Sequence, residues 1–174
     1  AFPNTLFEIL EIIPKDSYDI YRIKTNDYQY YSTDLFIDSR FVRLTDSIPY
    51  DREISMPAKE EILKNMNSLE GYQYMWGGNW GDGIEQLLEF YKPKTELQSN
   101  TENLWMLKGV DCSGLVYEST GGATPRNTSS LINYGEAVDI AGMNAKQISE
   151  ILQPLDLICW SGHVIIVIED NMVI

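Results

Sequence analysis

Apolar and polar residues partly alternate in Leu6 to Ile12 and Tyr18 to Ile23, within a first stretch of about 45 positions rich in β-branched and aromatic residues. A period of two predicts half-buried strands. Turn formers at Pro14 to Ser17 and Thr25 to Asp27 separate these runs, and Asp34 to Leu44 adds one or two further short strands. A β unit this small has little interior of its own, so it is expected to pack on its neighbour. From Pro57 the period lengthens. Ile62, Leu63, Met66 and Leu69 recur at three- and four-residue steps, which predicts a helix opening at Pro57 and closed by Gly71. A second helix is expected over Ile84 to Tyr91, stopped by Pro93, and the polar stretch Lys92 to Asn103 reads as a loop. Asp111 can cap a helix that begins at Cys112 and ends at Gly121-Gly122. Asn144 to Leu152 predicts a short helix, and Leu155 to Trp160 with His163 to Ile168 predicts a hairpin turning at Ser161-Gly162. Strands, then helices, then strands make the expected class α+β rather than doubly wound. The predicted organisation is an all-β unit over 1–48, a linker over 49–56 and a larger domain over 57–174.

Charge narrows the field. Thirteen basic and 26 acidic residues leave a net −13 on 174 residues, a field that repels a phosphate backbone and argues against nucleic-acid partners. The longest apolar run, Val164 to Ile168, is strand length, far from the ~20 residues of a membrane span. At 44% hydrophobic and 22% charged, the composition is that of a folded globular chain. Both ends read as trimmed: Ala1-Phe2-Pro3-Asn4 has neither an initiator Met nor a signal segment, and Met172-Val173-Ile174 falls inside an expected strand.

Candidate chemistry centres on two residues. Cys112 opens a predicted helix, where free N–H groups and the helix dipole favour a thiolate, the nucleophilic form of cysteine. The alternative is a small buried hydrophobe. His163 is the chain's only histidine and opens an apolar run; it is either a base for Cys112 or a satisfied strand-end residue. A cysteine on a helix start facing a histidine on a sheet is the layout of papain-like thiol hydrolases. Cys159, within Leu157 to Trp160, reads as a structural strand residue. One histidine and two cysteines match no common zinc spacing, the Trp76-Gly77-Gly78 segment lacks the lysine of a phosphate loop, and no cofactor is expected.

Four segments carry a resemblance. Gly71-Tyr72-Gln73-Tyr74-Met75-Trp76-Gly77-Gly78, Asp111-Cys112-Ser113-Gly114-Leu115-Val116, Pro125-Arg126-Asn127-Thr128-Ser129, and Leu155 to Trp160 continuing into Gly162-His163-Val164 resemble, in order, the NlpC family of bacterial cell-wall cysteine peptidases. The preceding β unit resembles a bacterial Src-homology-3-like barrel lacking its first strand or strands. The resemblance implies a papain-like cysteine peptidase that hydrolyses the γ-D-glutamyl–L-diamino acid bond of peptidoglycan stem peptides or muropeptides. It implies Cys112 as nucleophile, His163 as base and Tyr74 near the oxyanion, with Trp76 at the substrate. Asp111 and Ser113 match positions that hold a terminal L-alanine amine, although Asp111 is equally placed as a plain helix cap. Arg126 either pairs with a substrate carboxylate or braces its loop. The implied location is the bacterial envelope, periplasmic or secreted, with a cytoplasmic recycling role as the alternative.

Three departures qualify the resemblance. Asn79 to Val110 is far longer than the family's ~10-residue connection, and its Trp80, Trp105 and Met106 supply apolar material for a wall or lid. The glycine usual before Asp156 is Leu155. The family's third polar residue, which orients the imidazole, is expected just after Ile174. Two rival functions follow: a catalytically inactive wall-binding module, or a thiol acyltransferase on the same fold.

Overall fold

A computed structural model describes residues 2–27, 33–47, 52–169 and 172–174. The expected α+β architecture is present. Strands β1 (Glu8–Pro14), β2 (Asp19–Lys24) and β3 (Leu35–Asp38) form an antiparallel sheet in the order β1-β2-β3. Among the described residues this sheet is open and does not close into a barrel. The alternation has its expected effect in the central strand, where Tyr21 and Ile23 are buried while Arg22, on the other face, pairs with Glu11 at 2.9 Å. A register shift between Ile9 and Glu11 marks a bulge in β1. The expected linker begins with residues 49–51, which lie outside the described residues.

Helix α1 (Lys59–Ser68) starts two residues after Pro57, with Ala58 at the N-cap, so the proline precedes the helix instead of opening it. Helices α2 (Gln86–Phe90) and α3 (Ser99–Trp105) follow. The second corrects the expected loop over Lys92 to Asn103. Polar residues hid it: only Leu104 and Trp105 give it apolar material, and both remain exposed. Short strands β4 (Asn79–Trp80) and β5 (Gly109–Val110) pair antiparallel across the base of this excursion. The long insertion therefore leaves and rejoins the fold at one place, which is why its length does not disturb the surrounding elements.

Helix α4 (Cys112–Ser119), helix α5 (Thr128–Leu131) and helix α6 (Ala145–Ile151) lead to the second sheet. Asn144 and Gln147 close a capping box on α6. Strands β6 (Leu157–Trp160), β7 (His163–Glu169) and β8 (Met172–Val173) are antiparallel. Gly162 takes φ +88° in the two-residue turn between β6 and β7, a left-handed value open to glycine without steric penalty. Leu155 adopts φ +78°, so the position where the resemblance expects glycine keeps that backbone conformation with a leucine in it. The core is one cluster: Ile62 and Met66 of α1, Leu115 and Val116 of α4, Leu131 of α5, and Val164 and Ile166 of β7. Burying each such side chain contributes about 1.5–3 kcal/mol.

Among the described residues the β unit docks at two points. Phe2 stacks on Tyr117 at 5.3 Å and meets Trp80 edge-on at 5.6 Å, while Arg52 lies over Phe2, pairs with Asp27 and donates to the Gly121 carbonyl at 2.8 Å. The second point joins the β unit to the insertion. Arg40 donates to the Phe90 carbonyl at 3.0 Å and pairs with Asp38, whose carboxylate also accepts from the Tyr91 hydroxyl at 2.6 Å. The Arg40 hydrogen bonds hold the Asp38 carboxyl down to about 2, and Asp38 in turn pushes Tyr91 up. Trp80 is thus spent on joining the units, and Trp105 donates its ring N–H to the Tyr91 carbonyl at 2.8 Å. The apolar material expected to wall a site ties the insertion to itself and to the β unit.

Candidate active site

Cys112 is the first residue of α4, and Asp111 is its N-cap. The Asp111 carboxylate accepts from Gly114 N–H at 2.6 Å, as the capping rule requires. It accepts as well from Gly77 N–H at 2.9 Å, from Ser113 Oγ at 3.2 Å, and from both terminal nitrogens of Arg126 at 3.0 and 2.9 Å. Arg126, only 7% exposed, reaches on to Ser113 Oγ and to the Gly78 carbonyl, each at 2.9 Å. Burial pushes the Asp111 carboxyl up, but the Arg126 and Gly114 hydrogen bonds outweigh it and hold the group below the ordinary carboxylate range.

This settles how two ambiguous residues are used within the fold. Arg126 braces: its guanidinium fastens the Gly77-Gly78 loop to the start of α4. Asp111 caps, and five donors already converge on its roughly four lone-pair sites. An incoming ammonium would have to displace one of them. Ser113 is buried, with its hydroxyl engaged by Asp111 and Arg126.

Close approach explains the Gly114 position. A Cβ added there would overlap the Gly78 carbonyl oxygen, which itself accepts from Asp111 N–H at 3.0 Å. The same ladder brings in Tyr74. Tyr74 bridges Val110 in parallel, and Met75 N–H donates to the Val110 carbonyl at 3.0 Å, so Tyr74 runs beside the chain that enters α4. Partial burial, then the negative charge of Cys112, raises the Tyr74 hydroxyl. Tyr74 is 56% exposed and Trp76 82%, and Trp76 directly precedes Gly77, whose N–H Asp111 holds.

The sheet supplies the other side. β7 packs on α4, and Cys112 and Cys159 both pack against the core cluster. Cys159 pairs with Val164, the residue after His163, and the charge of Cys112 reaches Cys159. Strand alternation then separates the neighbours. Cys159 and Val164 share the core face, whereas Trp160 and His163 are cross-strand partners on the opposite face, ring centroids 5.0 Å apart. Among the described residues no hydrogen bond joins Cys112 to His163. Asp111, Cys112, Ser113 and Tyr74 thus gather at the start of α4, with Trp76 one residue before the Gly77 that Asp111 holds and His163 on the strand that packs on α4.

Glu118 was not anticipated. From the last turn of α4 it accepts from Gly81 N–H at 2.8 Å, and burial pushes its carboxyl up. Its spacing from Asp111 carries no motif; a carboxylate six residues from the Cys112 helix start was the only available signal. An apolar cavity of about 330 Å³, lined by residues including Met56, Ile62, Met66, Val116, Leu157 and Ile166, is bordered by none of the six site residues. Among the described residues no group of three His, Cys, Asp or Glu side chains is placed to hold a metal ion, and no helix is long and apolar enough to cross a membrane.

No known protein family matches the chain, and neither does any curated protein or solved structure.

Proposed function

We propose that the chain is a papain-like cysteine peptidase of the NlpC type, cutting the γ-D-glutamyl–L-diamino acid bond of peptidoglycan stem peptides in the bacterial envelope. One observation carries the reading: Cys112 stands at a capped helix start that is braced by a buried ion pair and laid against the strand that begins with His163. The bracing is what a nucleophile and its neighbouring N–H groups require to act as a fixed oxyanion site. In the proposed reaction the Cys112 thiolate attacks the scissile carbonyl. The Cys112 backbone N–H stabilises the oxyanion with Tyr74 beside it, His163 protonates the leaving amine, and water resolves the thioester. Trp76 offers an open face to substrate. Asp111 and Ser113 act through the loop they hold. In this reading His163 must turn from the face it shares with Trp160 to the thiol when substrate fills the site.

A second reading, a binding module without turnover, is favoured by the placement of His163 on the strand face opposite Val164, which packs in the core with α4. Mass spectrometry of L-Ala-γ-D-Glu-meso-diaminopimelate incubated with the chain, beside Cys112→Ala, decides between them. Release of L-Ala-D-Glu by the parent alone supports the peptidase. Saturable binding of uncut peptide by both proteins supports the module.

A further inference from the structure

We propose that Cys112 and Cys159 form a reversible intramolecular disulfide when the chain meets a hydroperoxide, so that Cys159 acts as a resolving thiol for the cysteine at the start of α4. The two are the chain's only cysteines, both are free, and both are partly exposed. They pack against the same core cluster, Cys112 from α4 and Cys159 from β6, and the charge of Cys112 reaches Cys159. The cross-strand pairing of Cys159 with Val164 aims Cys159 at the helix, on the face that His163 does not share.

The electrostatics order the two steps. Burial, followed by the negative charge of Cys112, pushes the Cys159 thiol up, which disfavours Cys159 as the attacking thiolate and leaves that step to the cysteine at the helix start. The Cys112 thiolate attacks the peroxide: the O–O bond breaks, an S–O bond forms, and the departing hydroxide takes a proton to leave as water. Cys112 is then a neutral sulfenic acid, and the repulsion that held the Cys159 proton is gone. Cys159 attacks the sulfenic sulfur, the S–S bond forms, the S–O bond breaks, and the Cys159 proton leaves with hydroxide as a second water. Two thiols and one hydrogen peroxide give one disulfide and two waters. Without a resolving thiol the sulfenic acid continues to the irreversible sulfinic acid.

The test does not depend on the peptidase reading, because the product is read on the protein. The reduced chain is treated with a small excess of hydrogen peroxide and mapped under non-reducing conditions. The expected result is a mass lower by two hydrogens, a Cys112 peptide linked to the Cys159 peptide, and recovery of both thiols with dithiothreitol. In Cys159→Ser the same treatment is expected to leave Cys112 carrying two oxygens, which dithiothreitol does not remove. Oxygen added to Cys112 of the parent without a cross-link, or a link only between two chains, overturns the proposal.

Discussion

Replacing Arg126 with Met keeps most of the apolar stem and removes the charge from beneath Cys112. The parent guanidinium makes four hydrogen bonds, two of them to Asp111, with the paired side chains only 7% and 12% exposed. Breaking a buried pair by removing one partner costs about 3–5 kcal/mol, because the other charge stays buried. Asp111 retains Gly77 and Gly114 N–H as donors, which places the expected loss near the lower end, about 3 kcal/mol. With a urea slope of about 2 kcal/mol/M, the unfolding midpoint falls by about 1.5 M at unchanged slope. The pH dependence checks the cause. In the parent the Asp111 carboxyl is depressed, so it contributes stability above the unfolded carboxylate value and loses it as pH falls through the lower folded value. In Arg126→Met burial is opposed only by N–H donors, the carboxyl moves up, and the deficit against the parent narrows on acidification from pH 7 towards 3. Asp111→Asn should also cost less in the Arg126→Met background than alone. A midpoint shift worth under about 1 kcal/mol, or a deficit that widens in acid, would refute the buried brace and leave an ordinary surface pair.

The Asp38 carboxyl, held to about 2 by Arg40, stabilises the fold above the unfolded value near 4 and ceases to do so as pH falls towards 2. Asp38→Asn is therefore expected to flatten the parent's loss of stability between pH 4 and 2, measured by tryptophan fluorescence in acid titration. Gly114→Ala should lower the thermal midpoint by an equivalent of about 1–3 kcal/mol, although alanine favours helix by about 1 kcal/mol, because the new Cβ must push back the Gly78 carbonyl. If the peptidase reading holds, Trp76→Ala raises KM about fivefold, the loss of about 1 kcal/mol of stacking, with kcat and thermal midpoint unchanged; a lower midpoint would mark the ring as structural. Tyr74→Phe should lower kcat by about a hundredfold if its hydroxyl serves the oxyanion, and kinetics at parent rate would remove it from that role.

How much was legible follows from how local each signal is. The cap at Asp111, the hairpin at Ser161-Gly162 and the helix at Asn144 rest on residues within a few positions of one another, and each is found where the pattern put it. Helix α3 was missed because Ser99–Trp105 has little apolar periodicity; it is held by its connection to Tyr91 and the insertion's paired base, which no window along the chain contains. Leu155 shows the opposite case. Its type argued against a left-handed backbone, yet β6 entry requires one, and the hydrogen bond from Leu155 N–H to the Val167 carbonyl at 2.7 Å keeps it there.

The candidate site divides along the same line. The order of Cys112, His163 and Tyr74 in the chain suggested one site; topology sets Tyr74 beside the chain entering α4 and packs the His163 strand on α4. Which faces they share was not readable, because that depends on strand parity. A two-residue turn between β6 and β7 makes Trp160 the partner of His163 and Cys159 the partner of Val164. Adding one residue to that turn would exchange the partners and bring a different side chain to the thiol. The chemistry open to Cys112 is therefore set less by the residues of α4 than by the length of a turn on the opposite sheet. That parity leaves Cys159, which the sequence marked only as structural, on the face of the strand that packs in the core with α4.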